Sequence, residues 1–497
     1  MEYGVTTAYG SVTAVSASLV TAHTASIASL SGGTIYHYRV KSKDGSGNSA
    51  ISEDNTLTTI APPPPPPAGS GYTWLRKFGG SGCDFVSGSA TDNAGNTYAA
   101  GLMVANTSDC NPTTKDAWLV KYDTDGNELW NKTLGSNSYD EFSDVALGNS
   151  GKVYAVGYTY GVIDDNSYAG QDDGLIVSYD TNGTKQWSRT MGAGSGERLN
   201  GVTVDNAENV YAVGYTNGVL DGQTYGGGYS DGLIVKYDSN GNKLWTRLLG
   251  TNDWDQLNDV GADQSGNIYV VGYSKGSFQG QINAGSQDIL IAKFDTNGNQ
   301  LWVRLLGSAL SDEAFAIAVD ASSIYVVGQA SASLEGQVHK GTYDAVMAKY
   351  DTNGNKIWTR LTASSFGSYS DYFLTVAANS SGIYAGGVYT TNTYWYGVEP
   401  VVVKYDSNGN KVKELLLLGT TQEEDPLQGV GIDATGNVYG TGIYRTTFRS
   451  PNPSHSFIVK YAPSSFAGVK KLTTIASLLE AVQSLLKQLK TLQHMLE

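Results

Sequence analysis

The stretch GNIYVVGYSKGSFQGQINAGSQDILIAKFDTNGNQLWVRLLG, Gly266–Gly307, contains the pattern that decides the fold. The segments IYVVG, DILIAKFD and QLWVRLLG are rich in apolar and β-branched residues, which predicts three strands. A variable loop separates the first two, and the turn TNGN joins the last two. A short strand such as DVGAD precedes them. One unit therefore has four antiparallel strands joined by hairpins.

This unit is written seven times, at intervals of about 57 residues. A second-strand tyrosine, followed three residues later by glycine, stands at Tyr98, Tyr154, Tyr211, Tyr269, Tyr325, Tyr384 and Tyr439. A third-strand aromatic stands at Tyr122, Tyr179, Tyr237, Phe294, Tyr350, Tyr405 and Tyr461. A fourth-strand tryptophan stands at Trp74, Trp130, Trp187, Trp245, Trp302 and Trp358, with Lys413 in the remaining unit.

The position of the first tryptophan predicts how the repeat closes. One four-stranded sheet cannot bury both of its faces, whereas radially stacked sheets can. Trp74 precedes the first innermost strand, and nothing like a fourth strand follows Tyr461. All seven units have four strands only if Trp74–Phe78 supplies the outer strand of the last unit. We therefore predict an all-β fold, a seven-bladed β-propeller of four-stranded antiparallel blades with N-terminal strand closure.

Composition divides the chain into four regions. Residues 1–60 predict a partial fibronectin type III-like β-sandwich, and 61–71 a Pro-rich linker of polyproline II type. Residues 72–464 form the predicted propeller. Residues 465–497 predict a C-terminal α-helix, amphipathic and coiled-coil-like, because apolar residues follow an a/d spacing. The apolar seam is Ile475, Leu479, Val482, Leu486 and Leu489. Such a helix self-associates or packs against the propeller.

Two resemblances accompany these regions. EYGVTTAYGS (Glu2–Ser11), LSGGTIYHYRV (Leu30–Val40) and DGSGNSAISEDNTLTT (Asp44–Thr59) resemble the later half of a fibronectin type III domain, with Leu30 and Tyr36 at the spacing of its tyrosine corner. The first two strands of that sandwich are missing, so we expect the chain to be a piece of a longer polypeptide.

The repeat itself, D-x-LIVKYD-x-NGN-x-LW beside D-x-x-GNIYVVGY, resembles the bacterial and archaeal beta-propeller repeat family. The resemblance implies secretion and display at a cell surface. It implies no known reaction and no catalytic residues.

Charge and hydropathy exclude some partners. The 497 residues carry a net charge of −15, which repels nucleic-acid backbones. The sequence has no run of 18 apolar residues, so no transmembrane segment is predicted. The start MEYGVTTAYG has neither the basic residues nor the apolar core of a signal peptide. An extracellular or cell-surface location is therefore expected from the family resemblance alone.

Two acidic positions recur in every unit, on the same predicted face. The first set precedes the innermost strand and comprises Asp84, Asp140, Glu197, Asp255, Asp312, Asp371 and Asp425. The second set opens the third strand and comprises Asp116, Asp173, Asp231, Asp288, Asp344 and Glu399, with His455 as the exception. One hypothesis is an electronegative mouth that binds cations or basic partners. The alternative is that each carboxylate accepts backbone N–H bonds and fixes its own loop.

The turns that start at Asp123, Asp180, Asp238, Asp295, Asp351 and Asp406 begin like a calcium loop. Their glycine comes too early and no glutamate follows, so a hairpin turn is predicted instead. No cofactor is predicted, and calcium at the acidic face is the one cation left open. Whether any metal binds is left undecided by the sequence.

The sequence contains no arrangement typical of catalysis. The five histidines do not form an H-x-x-H or H-E-x-x-H motif, and no G-x-S-x-G is present. His339 and His455 fall in predicted loops, where solvated side chains are expected. The protein is therefore not predicted to be an enzyme, although a triad assembled by the fold is left open.

Aromatic side chains are the candidate ligand contacts. Tyr394, Trp395 and Tyr396 cluster in one variable loop, and Trp254 precedes an innermost strand. Flat amphipathic rings suit sugar stacking or a protein hot spot, and packing between loops is the alternative. Cys83 and Cys110 fall in loops of the same face. A disulfide between them, or two free thiols, agrees with the sequence.

Three functional hypotheses remain. The favoured one is a binding or adhesion module that presents loops of a rigid propeller to a protein or glycan ligand. The second is a carbohydrate-active enzyme, a lyase or hydrolase, that uses acidic residues at the propeller mouth. The third is a purely structural module of a surface assembly.

Overall fold

The structure is a computed structural model that describes residues 1–13, 27, 30–31, 34–59, 71–78, 84–104, 115–278, 280–364, 370–390, 398–417, 426–445 and 454–466. Residues 467–497 of the predicted C-terminal helix, the aromatic loop Tyr394–Tyr396, both cysteines and Asp425 lie outside the described residues. The described part is β-structure throughout, with a single 3₁₀ turn at Pro463–Phe466. It contains no helix that is long and apolar enough to cross a bilayer.

Seven four-stranded antiparallel sheets are described between Trp74 and Tyr461, and their strands are numbered here in chain order within each sheet. Sheet one comprises Phe85–Thr91, Thr97–Met103, Asp116–Tyr122 and Glu128–Leu134. Sheet two comprises Asp140–Leu147, Val153–Thr159, Asp173–Tyr179 and Lys185–Met191. Sheet three comprises Glu197–Val204, Val210–Thr216, Asp231–Tyr237 and Lys243–Leu249. Sheet four comprises Asp255–Ala262, Ile268–Ser274, Asp288–Phe294 and Gln300–Leu306. Sheet five comprises Asp312–Val319, Ser323–Ala330, Asp344–Asp351 and Lys356–Thr362. Sheet six comprises Tyr372–Asn379, Gly382–Thr390, Val398–Tyr405 and Lys411–Leu416. Sheet seven comprises Leu427–Ile432, Val438–Arg445 and Ser454–Tyr461, and its fourth strand is Trp74–Phe78.

The first strands of neighbouring sheets contact one another in a closed cycle, and the first strand of sheet seven contacts that of sheet one. The first strands therefore surround an axis, and the fourth strands lie outermost. The apolar core lies between sheets. For example, Tyr211 and Val213 of sheet three pack against Ile268 and Val270 of sheet four. Each sheet buries its second face only because the next sheet covers it.

The strand Trp74–Phe78 closes the cycle by pairing with Ser454–Tyr461, with Trp74 opposite Lys460 and Phe78 opposite Ser456. This is the pairing that the sequence predicts. Side chains also cross the junction between sheets seven and one. The Thr441 hydroxyl donates to Ser89 Oγ at 2.8 Å.

Each fourth-strand tryptophan binds the turn of the next sheet. The indole N–H donates to a turn carbonyl in the pairs Trp74–Thr124 (3.3 Å), Trp130–Thr181 (3.0 Å), Trp187–Ser239 (3.2 Å), Trp245–Thr296 (3.2 Å), Trp302–Thr352 (3.4 Å) and Trp358–Ser407 (3.2 Å). The glycine of the same turn has a positive φ, 77° at Gly298. A Cβ there would lie 3.1 Å from the Trp245 ring. Glycine is therefore required both for the turn and for the indole.

In sheet six, where Lys413 replaces the tryptophan, a residue further along the chain packs at the junction with the next sheet. No NGN turn follows Tyr461 in sheet seven, so an indole in sheet six would have no turn to bind. The 3₁₀ turn Pro463–Phe466 follows Tyr461 instead. Phe466 is buried, with its ring centroid 5.1 Å from Tyr384 and 5.6 Å from Tyr461. Phe466 thus supplies the apolar packing at this junction.

The loops between second and third strands cover the exposed edges of the fourth strands in sheets two, three and five. Fourth-strand hydroxyls donate to acidic loop residues in the pairs Ser188–Asp164 (2.5 Å), Thr246–Asp221 (2.5 Å) and Thr359–Glu335 (2.8 Å). The Leu361 amide donates to Gln337 Oε1 at 2.9 Å. An outer strand otherwise leaves its backbone groups open to pairing with other chains. The sequence did not predict this role for the loops.

The N-terminal region forms a separate four-stranded antiparallel sheet of Glu2–Gly4, Ser11–Val12, Ile35–Arg39 and Asn55–Thr58, and Lys41–Lys43 pairs with Ser49–Ile51. The Ser31 amide donates to the Tyr36 hydroxyl at 2.9 Å, which is the contact that a tyrosine corner makes. The assignment to fibronectin type III stays a prediction.

Candidate binding site at the ring axis

The six described acids of the first set are buried at the start of the innermost strands. They accept hydrogen bonds from backbone amides in the pairs Val104–Asp84 (3.3 Å), Ser136–Asp140 (2.6 Å), Ala193–Glu197 (2.9 Å), Thr251–Asp255 (2.5 Å), Ser308–Asp312 (2.5 Å) and Ser364–Asp371 (2.7 Å). Burial raises the pKa of Asp255, Asp312 and Asp371, and these hydrogen bonds lower it in part. Five of these carboxylates hold the loop that precedes them, whereas Asp84 binds the amide that follows the second strand of sheet one.

The second acidic set lies at the same edge. Asp173, Asp231 and Asp288 are buried, and their Oδ2 atoms accept the amides of Ala169, Gly226 and Ala284 at 2.8, 2.6 and 2.8 Å. Their Oδ1 atoms lie against the glycine that directly follows the fourth strand of the same sheet. A Cβ would lie 2.2 Å from Oδ1 at Gly192 and Gly250, and 2.0 Å at Gly307. Burial raises the pKa of Asp231 to about 6. Glycine at that position leaves room for the carboxylate.

Two expectations for histidine are wrong. His339 is not solvated, since only 15% of its side chain is exposed and its Nε2 lies 3.9 Å from Asp344 Oδ1. The loop turns its ring inward because the neighbouring amides of Lys340 and Gly341 bind the same carboxylate. His455 lies in the strand Ser454–Tyr461, opposite Tyr444, and not in a loop. The His339 amide donates to the Ser333 hydroxyl at 3.2 Å, but this contact involves the backbone and not the imidazole.

The aspartates of the NGN turns use both carboxylate oxygens within the turn. Asp123 Oδ1 accepts the amides of Asp125 and Asn127 at 2.9 and 2.8 Å, and Oδ2 accepts the Asn127 side chain at 2.9 Å. The same bonds form at Asp238, Asp295, Asp351 and Asp406. These are hairpin turns, as the glycine spacing predicts. Within the described ranges, no group of three or more His, Cys, Asp or Glu side chains has the arrangement of a metal site.

Trp254 lies on the face where the innermost strands begin. Trp254 is 40% exposed and Tyr229 is 60% exposed, and their ring centroids are 4.7 Å apart. The Lys275 ammonium lies 3.8 Å from the Trp254 ring centroid. Large rings that remain this exposed on a rigid strand end provide a stacking surface for a ligand.

A second aromatic group surrounds Arg198, next to the acid Glu197. Tyr139 and Tyr158 are stacked with centroids 5.7 Å apart, and Tyr160 is nearly perpendicular to both. The Arg198 guanidinium lies 4.0 Å from the Tyr158 centroid, donates to the Tyr160 hydroxyl at 2.8 Å and pairs with Asp172. Burial lowers the pKa of Arg198, but the hydrogen bond to Asp172 and the interactions with Tyr158, Tyr215 and the Asp172 charge together outweigh burial, so the net shift is upward.

Glu141 fixes the tyrosines from the axial side. Its Oε2 accepts the hydroxyls of Tyr139 and Tyr158 at 2.7 and 2.9 Å, and its Oε1 accepts Ser87 at 3.1 Å. Burial, followed by the Glu141 charge, raises the pKa of both tyrosines, so they remain neutral donors. A cavity of about 450 Å³ is lined by Ser138, the three tyrosines and Arg198.

Tyr215 connects the two groups. It lies opposite Arg198 in the ladder between the first two strands of sheet three, and burial raises its pKa. Tyr139, Tyr158, Tyr160, Tyr215, Tyr229 and Trp254 therefore follow one another along sheets two to four, and we call these six residues the aromatic arc. Trp254 is the one member that the sequence singled out.

The first strands also carry carboxyl groups that face the axis. Burial raises the pKa of Asp259 and of Glu313 to about 7. Burial and the Asp259 charge raise the pKa of Asp144. Asn258 donates to Glu313 Oε1 at 3.1 Å and to the Ala314 carbonyl at 2.8 Å. These polar side chains link neighbouring strands below the aromatic arc.

A further cavity of about 620 Å³ lies at the periphery, between sheet two and the turn of sheet three. Its lining includes Lys152, Asp164, Gln186, Trp187 and Ser239. Asp164 there pairs with Lys185 at 2.5 Å. Its lining combines the outer strand of sheet two, the loop that contains Asp164 and the turn of sheet three, and it shares no residue with the cavity at Arg198.

The family comparison agrees with the repeat geometry. The model described as "Beta-propeller repeat" matches residues 244–279. Residues 244–279 are thus similar to a beta-propeller repeat. The matched segment runs from the outer strand of sheet three, which carries Trp245, through the first two strands of sheet four. It therefore contains Trp254, the innermost strand and the tyrosine anchor Tyr269.

Similar proteins have varied descriptions. The regulatory protein FlaEY of Caulobacter vibrioides is 27% identical over 195 residues, which are 36% of this chain and 20% of that relative. This chain thus spans a small part of the curated relative's length. A PL25 ulvan lyase is 10% identical with a TM-score of 0.44, over 79% of this chain and 100% of that one. YCF48 bound to D1 peptide is 11% identical with a TM-score of 0.42, over 80% and 97%. A gluconolactonase from Xanthomonas campestris is 12% identical with a TM-score of 0.33, over 78% and 99%. Likeness at this level indicates no ligand and no reaction.

Proposed function

We propose that this protein is a binding module that holds a glycan on the aromatic arc. The observation that carries the proposal is the exposed pair Tyr229 and Trp254 beside the tyrosines that surround Arg198. Aromatic faces stack on the C–H faces of sugar rings, while tyrosine hydroxyls and the guanidinium supply directed hydrogen bonds. The arc offers both kinds of contact on rigid strand ends.

The charge of the protein favours a neutral glycan. A net charge of −15 opposes the approach of polyanions such as uronate or sulfate polymers. Arg198 is already paired with Asp172, and Glu141 is fixed by two tyrosine hydroxyls. The arc therefore presents polar groups that are balanced in charge. A protein ligand with a small apolar anchor is the other partner class that such a surface fits.

The proposal extends to the setting of the module. We propose that the seven sheets close into one seven-bladed propeller over residues 72–464, carried at a cell surface behind a fibronectin-like region and a Pro-rich linker. Residues 465–497 would self-associate as a helix and so present several arcs together. Multiple weak sites on one assembly raise the overall affinity for a repetitive glycan.

Trp254→Ala is expected to weaken glycan binding about tenfold, because one stacking contact contributes about 1–1.5 kcal/mol. The wild-type chain is first screened on an array of neutral and acidic oligosaccharides, and the strongest neutral hit is titrated by calorimetry against the variant. Ile282→Ala is the matched control, since Ile282 is 81% exposed in a loop of sheet four but is not part of the arc. Equal affinities for both variants, or an array without hits, would contradict the proposal.

The alternative of a carbohydrate-active enzyme has one observation in its favour. Carboxyl groups with raised pKa values near the axis, Asp259 and Glu313, are typical of general acids. Asp259, however, accepts two backbone amides, which ties it to the fold. Incubating the chain with the glycan that binds, followed by chromatography for shorter or unsaturated products, separates the two functions.

A further inference from the structure

One position of the second strand carries tyrosine in three neighbouring sheets and other residues in the remaining four. It lies four residues after the repeated second-strand tyrosine. Its occupants, from sheet one to sheet seven, are Leu102, Tyr158, Tyr215, Tyr273, Gln329, Val388 and Ile443. Each of the three tyrosines lies opposite the residue that follows the strand-opening acid, in the pairs Tyr158–Glu141, Tyr215–Arg198 and Tyr273–Gln256. A hydroxyl-bearing ring therefore recurs once per sheet in the three sheets that carry the aromatic arc.

The Tyr215 hydroxyl differs from its two equivalents because the residue opposite it is a cation. The hydroxyls of Tyr158 and Tyr273 donate to the side chains opposite them, at 2.9 and 3.3 Å. Arg198 has donors only, so it offers the Tyr215 proton no acceptor. Within the part of the chain that the structure describes, the Tyr215 hydroxyl makes no hydrogen bond, and the residue is partly exposed. This hydroxyl is therefore available to a ligand.

Tyr215 lies between the two exposed aromatic groups. The ladder continues from Tyr215 by one residue to the strand-opening Asp231, and Tyr229 lies two residues before that acid in the chain. On the other side of Tyr215, the opposing Arg198 donates to the Tyr160 hydroxyl at 2.8 Å. A ligand that contacts Tyr160 and Tyr229 together is therefore expected to cross Tyr215.

Backbone hydrogen bonds between sheets fix the spacing of the two groups. At the junction of sheets two and three, the Glu197 amide donates to the Asp172 carbonyl at 2.8 Å. At the junction of sheets three and four, the Asp255 amide donates to the Ser230 carbonyl at 2.9 Å. Groups that are held in place before binding lose little conformational entropy when a ligand engages them. The two groups are thus preorganised for one ligand that is long enough to reach both.

We propose that the aromatic arc binds a linear oligosaccharide along its length. One sugar stacks on the tyrosines of sheet two, and another stacks on Tyr229 and Trp254. The Tyr215 hydroxyl donates to an oxygen of a sugar between them. The inference rests on the proposed function and narrows its ligand from any neutral glycan to an extended, unbranched chain. A single sugar ring in the cavity at Arg198 would leave Trp254 without a contact.

The length of the oligosaccharide should therefore control its affinity. A disaccharide reaches one aromatic group only, whereas a longer chain gains a second stacking contact and the Tyr215 hydrogen bond through its covalent link to the first sugar. One stacking contact raises affinity about tenfold, and one hydrogen bond raises it about fivefold. The affinity of the wild-type chain should thus rise about fiftyfold from the disaccharide to the length at which it levels off. We call this ratio the length gain.

The probes are the strongest neutral linear hit of the oligosaccharide array and its shorter homologues down to the disaccharide, each titrated by calorimetry against the full chain. Trp254→Ala and Tyr160→Ala each remove one stacking contact, so the length gain is expected to fall to about fivefold. Tyr215→Phe keeps the ring but loses the donor, so the length gain is expected to fall to about tenfold. Tyr215→Phe should melt at the wild-type temperature, because its hydroxyl has no partner in the described part of the fold.

Tyr343→Phe is the matched control and should leave the length gain unchanged. Tyr343 is also partly exposed and directly precedes a strand-opening acid, but it belongs to sheet five. Equal wild-type affinities for the disaccharide and the longest chain would overturn the inference while glycan binding stands, and so would a Tyr215→Phe variant with the wild-type length gain. An array whose hits are all branched glycans would overturn it too. An array without hits would overturn the proposed function as well.

Discussion

Replacing Trp74–Phe78 by five glycine and serine residues is expected to abolish cooperative folding of the propeller. These residues form the fourth strand of sheet seven, although they precede sheet one in the chain. The substitution removes the strand's ladder with Ser454–Tyr461 and the indole that binds the turn carbonyl of Thr124. No other described strand can take that place, since the chain after Tyr461 forms the 3₁₀ turn.

The size of the effect follows from what becomes exposed. Trp74 is only 5% exposed, and loss of a buried indole alone costs about 3–5 kcal/mol. The unpaired strand Ser454–Tyr461 would also present a free edge, which promotes association between chains. Whole domains are stable by about 5–15 kcal/mol, so these losses together approach the full stability.

The measurement is thermal melting by circular dichroism with size-exclusion chromatography. The matched control replaces Ser49–Ile51, which pairs only with Lys41–Lys43 in the N-terminal region, and should leave the main transition in place. A propeller that melts with the wild-type midpoint after the loss of Trp74–Phe78 would show that the ring closes without this strand.

Much of this architecture could be predicted from the sequence because the repeat constrains it. Strand positions followed from alternating apolar residues, and the closing strand followed from a simple count of tryptophans. The hairpin nature of the NGN turns followed from glycine spacing. Each of these inferences needs only local residues, and periodic repetition makes local patterns reliable.

Most of the candidate site could not be predicted from the sequence, because the site depends on residues that differ from one repeat to the next. Arg198, Glu141 and Gln256 occupy the same position, one residue after the strand-opening acid, in three neighbouring sheets. That variability inside an otherwise repeated strand was the available signal. The sequence could not show that Tyr139 and Tyr160 meet across this position, because they come from loops of different lengths. Likewise, Lys413 made sense only once Phe466 was seen at the same junction.

Trp245→Ala is expected to destabilise the propeller by about 2–4 kcal/mol, the second largest effect that the structure predicts. The indole reaches from sheet three to sheet four, where its N–H donates to the Thr296 carbonyl and its ring lies under Gly298. The ring centroid also lies 6.0 Å from Tyr211, and the Arg247 guanidinium lies 5.3 Å from it. Removal leaves a cavity between two rigid sheets that cannot collapse to fill it.

Two further substitutions separate the parts of this contact. Trp245→Phe keeps a ring but loses the N–H, so it should cost about 1–2 kcal/mol, part of it from the unpaired Thr296 carbonyl. Leu244→Ala is the matched control. Leu244 is next to Trp245 in the strand but is 51% exposed, so its loss should lower the free energy of unfolding by less than about 0.5 kcal/mol. Urea unfolding of the full chain measures all three. If Trp245→Ala were no more destabilising than Leu244→Ala, the repeated tryptophan would have to be explained by something other than the junction between sheets.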